Sequence, residues 1–158
     1  MVGDKIICLK KFGPIQLNNA TSHCQSFNAD QIIPRDRQES DDLVSALLSL
    51  KLSPEGGETL VSIGIHETKL GWYDSAGQRV SYSNWLPDEP DNPDGYQNYA
   101  ALRIDKPNDS VGWADYTGTY QLNVVCSKTA GHGKNNSLLL NYLNSSKFIF
   151  SGGQNRNS

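Results

Sequence analysis

Apolar residues recur at helical spacing in two stretches in the first third of the chain. A cap at Asn18 or Asn19 predicts a first helix that ends near Phe27. Two aspartates at positions 41 and 42 favour the N-terminus of a second helix. This second helix is expected to begin near Ser40, with an apolar stripe formed by Leu43, Val44, Leu47 and Leu48.

The pattern in the rest of the chain predicts strands and turns. Residues 4–12 suit a first strand, which Pro14 is expected to end. No helical period returns after the second helix, and residues 59–65 form a nearly continuous apolar run that predicts a strand. Shorter strand candidates, separated by Gly, Pro, Asn and Asp, are residues 71–73, 79–82, 99–104, 112–113 and 124–127. Two helices followed by a run of short strands predict an α+β domain.

The segment between Trp85 and Tyr99 has a different composition. Its thirteen residues, 86–98, contain three prolines and four acids, which are Asp88, Glu89, Asp91 and Asp94. A loop of this length in a compact domain is often functional. Ca²⁺ takes six to eight hard oxygen ligands, and carboxylates on a flexible loop supply them. The segment does not match the EF-hand pattern, and a solvated acidic turn without any ion is the alternative interpretation.

Charge argues against one class of partner. The chain has 158 residues with 14 basic and 17 acidic side chains, and residues 1–129 alone carry 11 basic and 17 acidic ones. A nucleic-acid-binding protein needs a basic excess to displace counterions from phosphates, so we expect no nucleic-acid partner. No apolar run approaches the roughly 18 residues of a membrane-spanning helix, so no membrane span is expected.

The last 29 residues differ in composition from the rest. They include six Asn, five Ser and four Gly. Such a segment is poor in core-forming residues, so we predict a domain over residues 3–129 and a mostly disordered extension over residues 130–158. Two apolar islands, at residues 138–143 and 148–150, offer the alternative of docking on the domain or on another chain.

The three cysteines leave two interpretations open. Cys8, Cys24 and Cys126 form no Cys-x-x-Cys pair, so a zinc or thioredoxin-type site is not supported. A bridge between Cys24 and Cys126 would indicate an oxidising compartment, whereas three buried free thiols would indicate the cytosol. The N-terminus shows no signal peptide, which fits either a cytosolic protein or a secreted one whose leader has been replaced by an initiator Met.

Several short motifs, taken in order, resemble those of the C-type lectin-like domain. They are Ile-Gly-Ile at 63–65, Gly-Trp-Tyr at 71–73, Tyr-Ser-Asn-Trp at 82–85, Glu-Pro-Asp at 89–91 and Trp-Ala-Asp at 113–115, followed by Cys126. The resemblance runs from about residue 8 to residue 128. It implies two helices flanking two small antiparallel sheets, with a long loop region that binds Ca²⁺ and ligand. It also implies a Cys24–Cys126 disulfide, a Cys8 without its usual partner and a secreted or extracellular protein.

The same resemblance implies a ligand set for the metal. In sugar-binding members, Ca²⁺ and the sugar share ligands at the positions of Glu89, Asp91, Gln97 and Asp115, and the bond before Pro90 is cis. Ala114 stands where those members have a coordinating Asn. A second, auxiliary Ca²⁺ site is not expected, because the loop after Ile65 offers only Glu67. The cysteines of the family's second disulfide correspond to Tyr99 and Gly118, where a tyrosine-packed substitute is one alternative.

The resemblance therefore implies a carbohydrate-binding, Ca²⁺-dependent protein with a degenerate mannose-type site. Its partner would be a weakly bound, mannose-like glycan or a glycoprotein, and an oligomer is compatible with the sequence. The alternative is Ca²⁺-independent binding of a protein or other non-sugar ligand through the same loop surface, using Tyr96, Tyr99, Tyr116 and Trp113. No nucleophile–base motif is present among the histidines and acids, so we do not expect an enzyme.

Overall fold

The structure, a computed structural model, describes residues 6–49, 57–105, 108–130 and 149–151. In chain order its elements are β1 (Ile6–Gln16), α1 (Leu17–Ser26), β2 (Asp30–Gln31), α2 (Arg37–Ser49), β3 (Glu58–Thr68), β4 (Gly71–Asp74), β5 (Tyr99–Asp105), β6 (Ser110–Tyr116), β7 (Gln121–Ala130) and β8 (Ile149–Ser151). The α+β class predicted from the sequence is confirmed. The predicted helices correspond to α1 and α2, and the long apolar run corresponds to β3.

Two antiparallel groups of strands are joined into a single sheet. The strand order is β6-β5-β3-β7-β1-β8, with β2 paired to β7 and β4 paired to β3. The pairing between β3 and β7 is parallel and short, at Val61↔Asn123 and Ser62↔Val124. All other strand pairs are antiparallel. The two small sheets implied by the resemblance therefore exist as two antiparallel halves of a continuous sheet.

Several element boundaries differ from the sequence prediction. The predicted cap of α1 at Asn18 or Asn19 is wrong, because the helix begins at Leu17 and the first backbone N–H groups, of Leu17 and Asn18, donate to the carbonyls of Tyr120 and Gly118 instead of to a capping side chain. Helix α2 begins three residues before Ser40, because Oδ1 of Asp36 accepts the backbone N–H of Glu39 at 2.8 Å and so caps an earlier turn. Strand β1 continues past Pro14 to Gln16, since a shift in register between Phe12 and Ile15 accommodates a residue that cannot donate. Residues 79–82 form no strand and contribute a single bridge, from Arg79 to Tyr73.

The main core lies between α2 and the β3–β5–β6 half of the sheet. Trp113 on β6 is completely buried there, and Leu47 of α2 is likewise inaccessible. Trp85 packs against Trp113 with ring centroids 5.6 Å apart, and Trp72 packs against Trp85 at 4.8 Å. All three tryptophans therefore serve packing. Trp85 directly precedes residues 86–98, which we refer to as the acidic loop, and Trp113 lies two residues before Asp115. This packing therefore fixes the chain on both sides of the acidic loop's contact with β6.

A second core cluster surrounds a disulfide between helix α1 and strand β7. Cys24 and Cys126 are joined, as the resemblance implied, and neither side chain is accessible to solvent. Ala20 and Val124 pack around them. Cys8 lies on β1, and its side chain falls outside the described part of the chain.

Part of the C-terminal segment forms an edge strand. Strand β8 pairs antiparallel with the start of β1, at Ile6↔Ser151, Ile7↔Phe150 and Cys8↔Ile149. The apolar island at 138–143 lies outside the described residues, as does most of the extension. Among the residues that the structure describes, no helix is long and apolar enough to cross a membrane.

Candidate metal and ligand site

The acidic loop is fastened at its start to strand β6. Trp85 bridges to Trp113, and the backbone N–H of Leu86 donates to the carbonyl of Trp113 at 2.9 Å. Residues 86–98 then run without helix or strand. Asp88 and Asn92 have positive φ angles of 67° and 30°, values that Asp and Asn adopt more readily than most residues. The loop therefore reverses direction sharply on both sides of the Glu-Pro-Asp motif.

Three carboxylates meet where this loop crosses the end of β6. Glu89, Asp91 and Asp115 each place one oxygen within 4.8 Å of the others. Asp91 is exposed and Glu89 is half-buried, whereas Asp115 is only 3% exposed. The Glu89–Pro90 bond is cis, as the resemblance implied. We refer to these three residues as the acidic cluster.

Asp115 also holds the loop in place. Its Oδ1 accepts the backbone N–H of Asp91 at 3.2 Å, and its Oδ2 accepts that of Asn92 at 3.1 Å. Its own backbone N–H points toward Oε2 of Glu89, at 3.5 Å. Asp115 therefore has two roles, one in the shape of the loop and one as a potential ligand. A substitution at this residue would change both.

The acidic cluster carries more negative charge than the protein compensates. Within the described residues, none of the ion pairs involves Glu89, Asp91 or Asp115. The pKa of Glu89 is raised to about 7, first because burial penalises its charge and second because Asp115 shares a hydrogen bond with it. A hard divalent cation would satisfy all three carboxylates at once, so the donor set fits Ca²⁺ with remaining positions left to amides and water.

The fourth candidate ligand, Gln97, has a different connection. Its backbone N–H donates to Oδ1 of Asn92 at 2.9 Å, which ties Gln97 to the loop beside the acidic cluster. The structure brings the three carboxylate candidates together, and the role of Gln97 as a ligand stays a prediction. Sequence reasoning missed Asn92 itself, although an asparagine directly after Glu-Pro-Asp, able to donate and accept at once, was a signal for a loop-organising residue.

The position of the missing second disulfide is filled by an aromatic ring. A Cβ atom placed on Gly118 would lie only 2.8 Å from Cε2 of Tyr99, so the tyrosine ring packs directly on the glycine. This supports the tyrosine-packed alternative. It also removes most of Tyr99 from the candidate surface for a protein partner. Trp113 is 0% exposed, so its assignment to that surface was wrong: its ring belongs to the core.

Comparison with known proteins identifies the class. Residues 14–128 match the model of the family described as "Lectin C-type domain", and the chain belongs to this family. The match covers the helices, the acidic loop and all three members of the acidic cluster.

One curated relative and several solved structures are similar to the chain. "Salivary C-type lectin 2" of Aedes albopictus is 38% identical over 53 residues, and the chain spans about a third (35%) of that relative's length. Human lithostathine has a TM-score of 0.65 at 19% identity, over 78% of this chain and 84% of that one. The C-type lectin CEL-I of Cucumaria echinata has a TM-score of 0.62 at 18% identity, over 78% and 90%. At these identities the structural likeness shows the fold alone.

Proposed function

We propose that the protein is a secreted carbohydrate-binding lectin, rather than an enzyme, and that its binding is Ca²⁺-dependent. The observation that carries the proposal is the meeting of Glu89, Asp91 and Asp115 within 4.8 Å at the binding-loop end of a lectin-family domain. The C-type lectin domain of murine dendritic cell inhibitory receptor 2, solved with an N-glycan, has a TM-score of 0.60 to this chain at 16% identity over 78% of this chain and 91% of that chain. That likeness supports a glycan-compatible fold.

The proposed ligand is a mannose-like sugar bound weakly. Two neighbouring hydroxyls of such a sugar would coordinate the ion and hydrogen-bond to its ligands. Ionised carboxylates can only accept hydrogen bonds, whereas amides can also donate. Asp91 and Ala114 occupy positions where mannose-binding relatives offer amides, which leaves Gln97 as the proposed donor. A lost hydrogen bond weakens binding by roughly 0.5–1.5 kcal/mol, so we propose low affinity for a single sugar and a glycoprotein as the working partner.

Glu89→Gln is expected to weaken Ca²⁺ binding on the order of tenfold or more, because Ca²⁺ affinity depends strongly on the number of charged ligands. The glutamine keeps the size of the side chain and an oxygen ligand. Calorimetric titration of Ca²⁺, followed by a glycan array with and without chelator, measures both steps. Asp88→Asn is the matched control, since Asp88 is exposed, is adjacent to Glu89 and lies outside the acidic cluster. Equal Ca²⁺ affinities for the wild type and Glu89→Gln would contradict the proposed site.

Ca²⁺ binding is also expected to release a proton near neutral pH. In the metal-free protein the pKa of Glu89 is about 7, so the residue is largely protonated at pH 6 and ionised at pH 8. The ion requires the carboxylate, so Ca²⁺ affinity should fall as the pH drops below about 7. Without metal, the same raised pKa makes stability decrease as pH rises from 4.5 toward 7, because the folded state holds the proton more tightly than the unfolded chain.

Titrations at pH 6, 7 and 8, in two buffers of different ionisation enthalpy, count the released proton. The Glu89→Gln variant should lose most of the pH dependence. If Ca²⁺ affinity were the same at pH 6 and pH 8, Ca²⁺ binding would not require Glu89 to lose a proton in this pH range.

A second candidate function rests on exposed apolar side chains near the loop. Leu70 at the turn between β3 and β4 is 76% exposed, and Tyr96 in the acidic loop is 73% exposed. Such residues suit a protein partner bound without Ca²⁺. Binding of a glycoprotein that survives both chelator and deglycosylation, and is lost in Tyr96→Ser, would favour this second function. Binding that is lost with chelator favours the lectin.

A further inference from the structure

Asn92 forms hydrogen bonds with four residues of the binding region. Its backbone N–H donates to Oδ2 of Asp115 at 3.1 Å, and its Oδ1 accepts the backbone N–H of Gln97 at 2.9 Å. Its Nδ2 donates to Oε2 of Glu67 at 3.1 Å and to Oδ1 of Asn98 at 3.4 Å. One residue thereby joins β6, the later arm of the acidic loop and the end of β3.

The side chain of Asn92 uses both its donor and its acceptor. The oxygen accepts a backbone N–H inside the loop, and the amino group donates to a carboxylate outside it and to Asn98 inside it. Glu67 forms no ion pair within the described residues, so the amino group of Asn92 is its polar partner there. The backbone N–H of Glu67 donates to the carbonyl of Asn98 at 2.8 Å, which draws β3 against the far arm of the loop.

We propose that Asn92 is a positioning residue that keeps the acidic loop in its metal-binding shape before any ion arrives. This inference rests on the proposed function. The amino group of Asn92 occupies the place beside Glu67 where a carboxylate would require a cation. The chain therefore needs one Ca²⁺ at the acidic cluster and none at Glu67. Asn92 acts through Asp91 and Asp115, whose relative positions it fixes, and it is not itself a ligand.

The argument has a direct consequence for an aspartate at this position. Asn92→Asp would place a second carboxylate oxygen beside Oε2 of Glu67, where an amide nitrogen now lies at 3.1 Å. Two carboxylates this close repel each other unless a proton or a cation lies between them. The loop must then open in the absence of metal, or take up a second ion between residues 67 and 92.

Two measurements on the full chain test the inference. Hydrogen exchange of the loop amides in chelator reports whether the loop is ordered without metal, and calorimetry reports the number of Ca²⁺ ions per chain. We expect Asn92→Asp to accelerate exchange of the Asp91 and Asn92 amides at least tenfold in chelator. We also expect it to bind two Ca²⁺ where the wild type binds one. The double variant Glu67→Gln with Asn92→Asp should restore slow exchange and one ion, because it reverses the donor and the acceptor and keeps the pair.

The matched control lies elsewhere on the surface. Nδ2 of Asn108 donates to Oδ2 of Asp105 at 2.7 Å, so Asn108→Asp creates the same pair of carboxylates on an exposed turn. Asn108→Asp should leave unchanged both the hydrogen-exchange rates of the acidic-loop amides and the number of Ca²⁺ ions bound per chain. Loop exchange in Asn92→Asp equal to that of the wild type, with one ion bound, would overturn the inference. If the wild type binds no Ca²⁺ while Asn92→Asp still loosens the loop, the proposed function fails and the positioning role stands.

Discussion

Removal of the Cys24–Cys126 bridge is expected to lower the free energy of unfolding by roughly 4–5 kcal/mol. The two cysteines are 102 residues apart in sequence, so the bridge closes a loop that contains most of the domain. In the loop-closure account, a cross-link over about 100 residues removes that much conformational freedom from the unfolded chain. A difference of this size is a large fraction of the roughly 5–15 kcal/mol by which domains are stable.

The measurement is urea denaturation of the oxidised protein against Cys24→Ala with Cys126→Ala. Both side chains are completely buried, so a small cavity term adds to the loss. Cys8→Ala is the control, because it leaves the bridge intact and changes a third cysteine. An unfolding free energy that falls by less than about 1 kcal/mol would mean that the unfolded chain is already compact enough for the cross-link to matter little.

The sequence predicted those elements whose cause is local. Helix α1 follows from the spacing of Ala20 and Cys24, and β3 follows from a continuous apolar run. The start of α2 was missed by three residues, although Asp36 and Glu39 have the spacing of a helix cap and the signal was available. The continuation of β1 past Pro14 could not be predicted, because it depends on the register against β7, which is its neighbour in the sheet but lies about 100 residues away in the sequence.

In the candidate site, too, the features with a local cause were predicted and the long-range contacts were not. Glu89 and Asp91 are two residues apart in one motif, and the resemblance supplied Asp115. The structure brings these three carboxylates within 4.8 Å of one another, and their role as metal ligands stays a prediction. The contacts that shape the acidic cluster were not predicted. Glu67 and Asn92 are 25 residues apart in sequence and meet only after the β3–β4 hairpin and the loop have folded. Composition shows that both are polar, but it cannot show that they are partners. Long-range hydrogen bonds of this kind decide whether a correct list of ligands becomes a formed site.

Asp91→Asn is expected to strengthen binding of a mannose-like sugar by roughly two- to twelvefold, the equivalent of one recovered hydrogen bond of about 0.5–1.5 kcal/mol. Asp91 is exposed, so the amide is accommodated without repacking and can donate to a sugar hydroxyl. The change removes one charge from the acidic cluster, so Ca²⁺ should bind slightly less tightly. Sugar affinity is therefore compared by calorimetry at saturating Ca²⁺. Asp94→Asn is the matched control, because it removes the same charge from the same loop at an exposed residue outside the cluster.

Adding Ala114→Asn should bring the combined gain in sugar affinity to roughly five- to 150-fold, if the two recovered bonds add. Ala114 precedes Asp115 on β6. The side-chain amide introduced by Ala114→Asn would therefore supply the second missing donor and a further ligand for Ca²⁺. Ala114 is only 2% exposed, and a thermal midpoint near that of the wild type is required before affinities are compared. A folded double variant with no gain for the sugar would mean that the acidic cluster holds its ion without presenting it to hydroxyls. Recognition would then fall to the exposed side chains of Tyr96 and Leu70, which these substitutions leave unchanged.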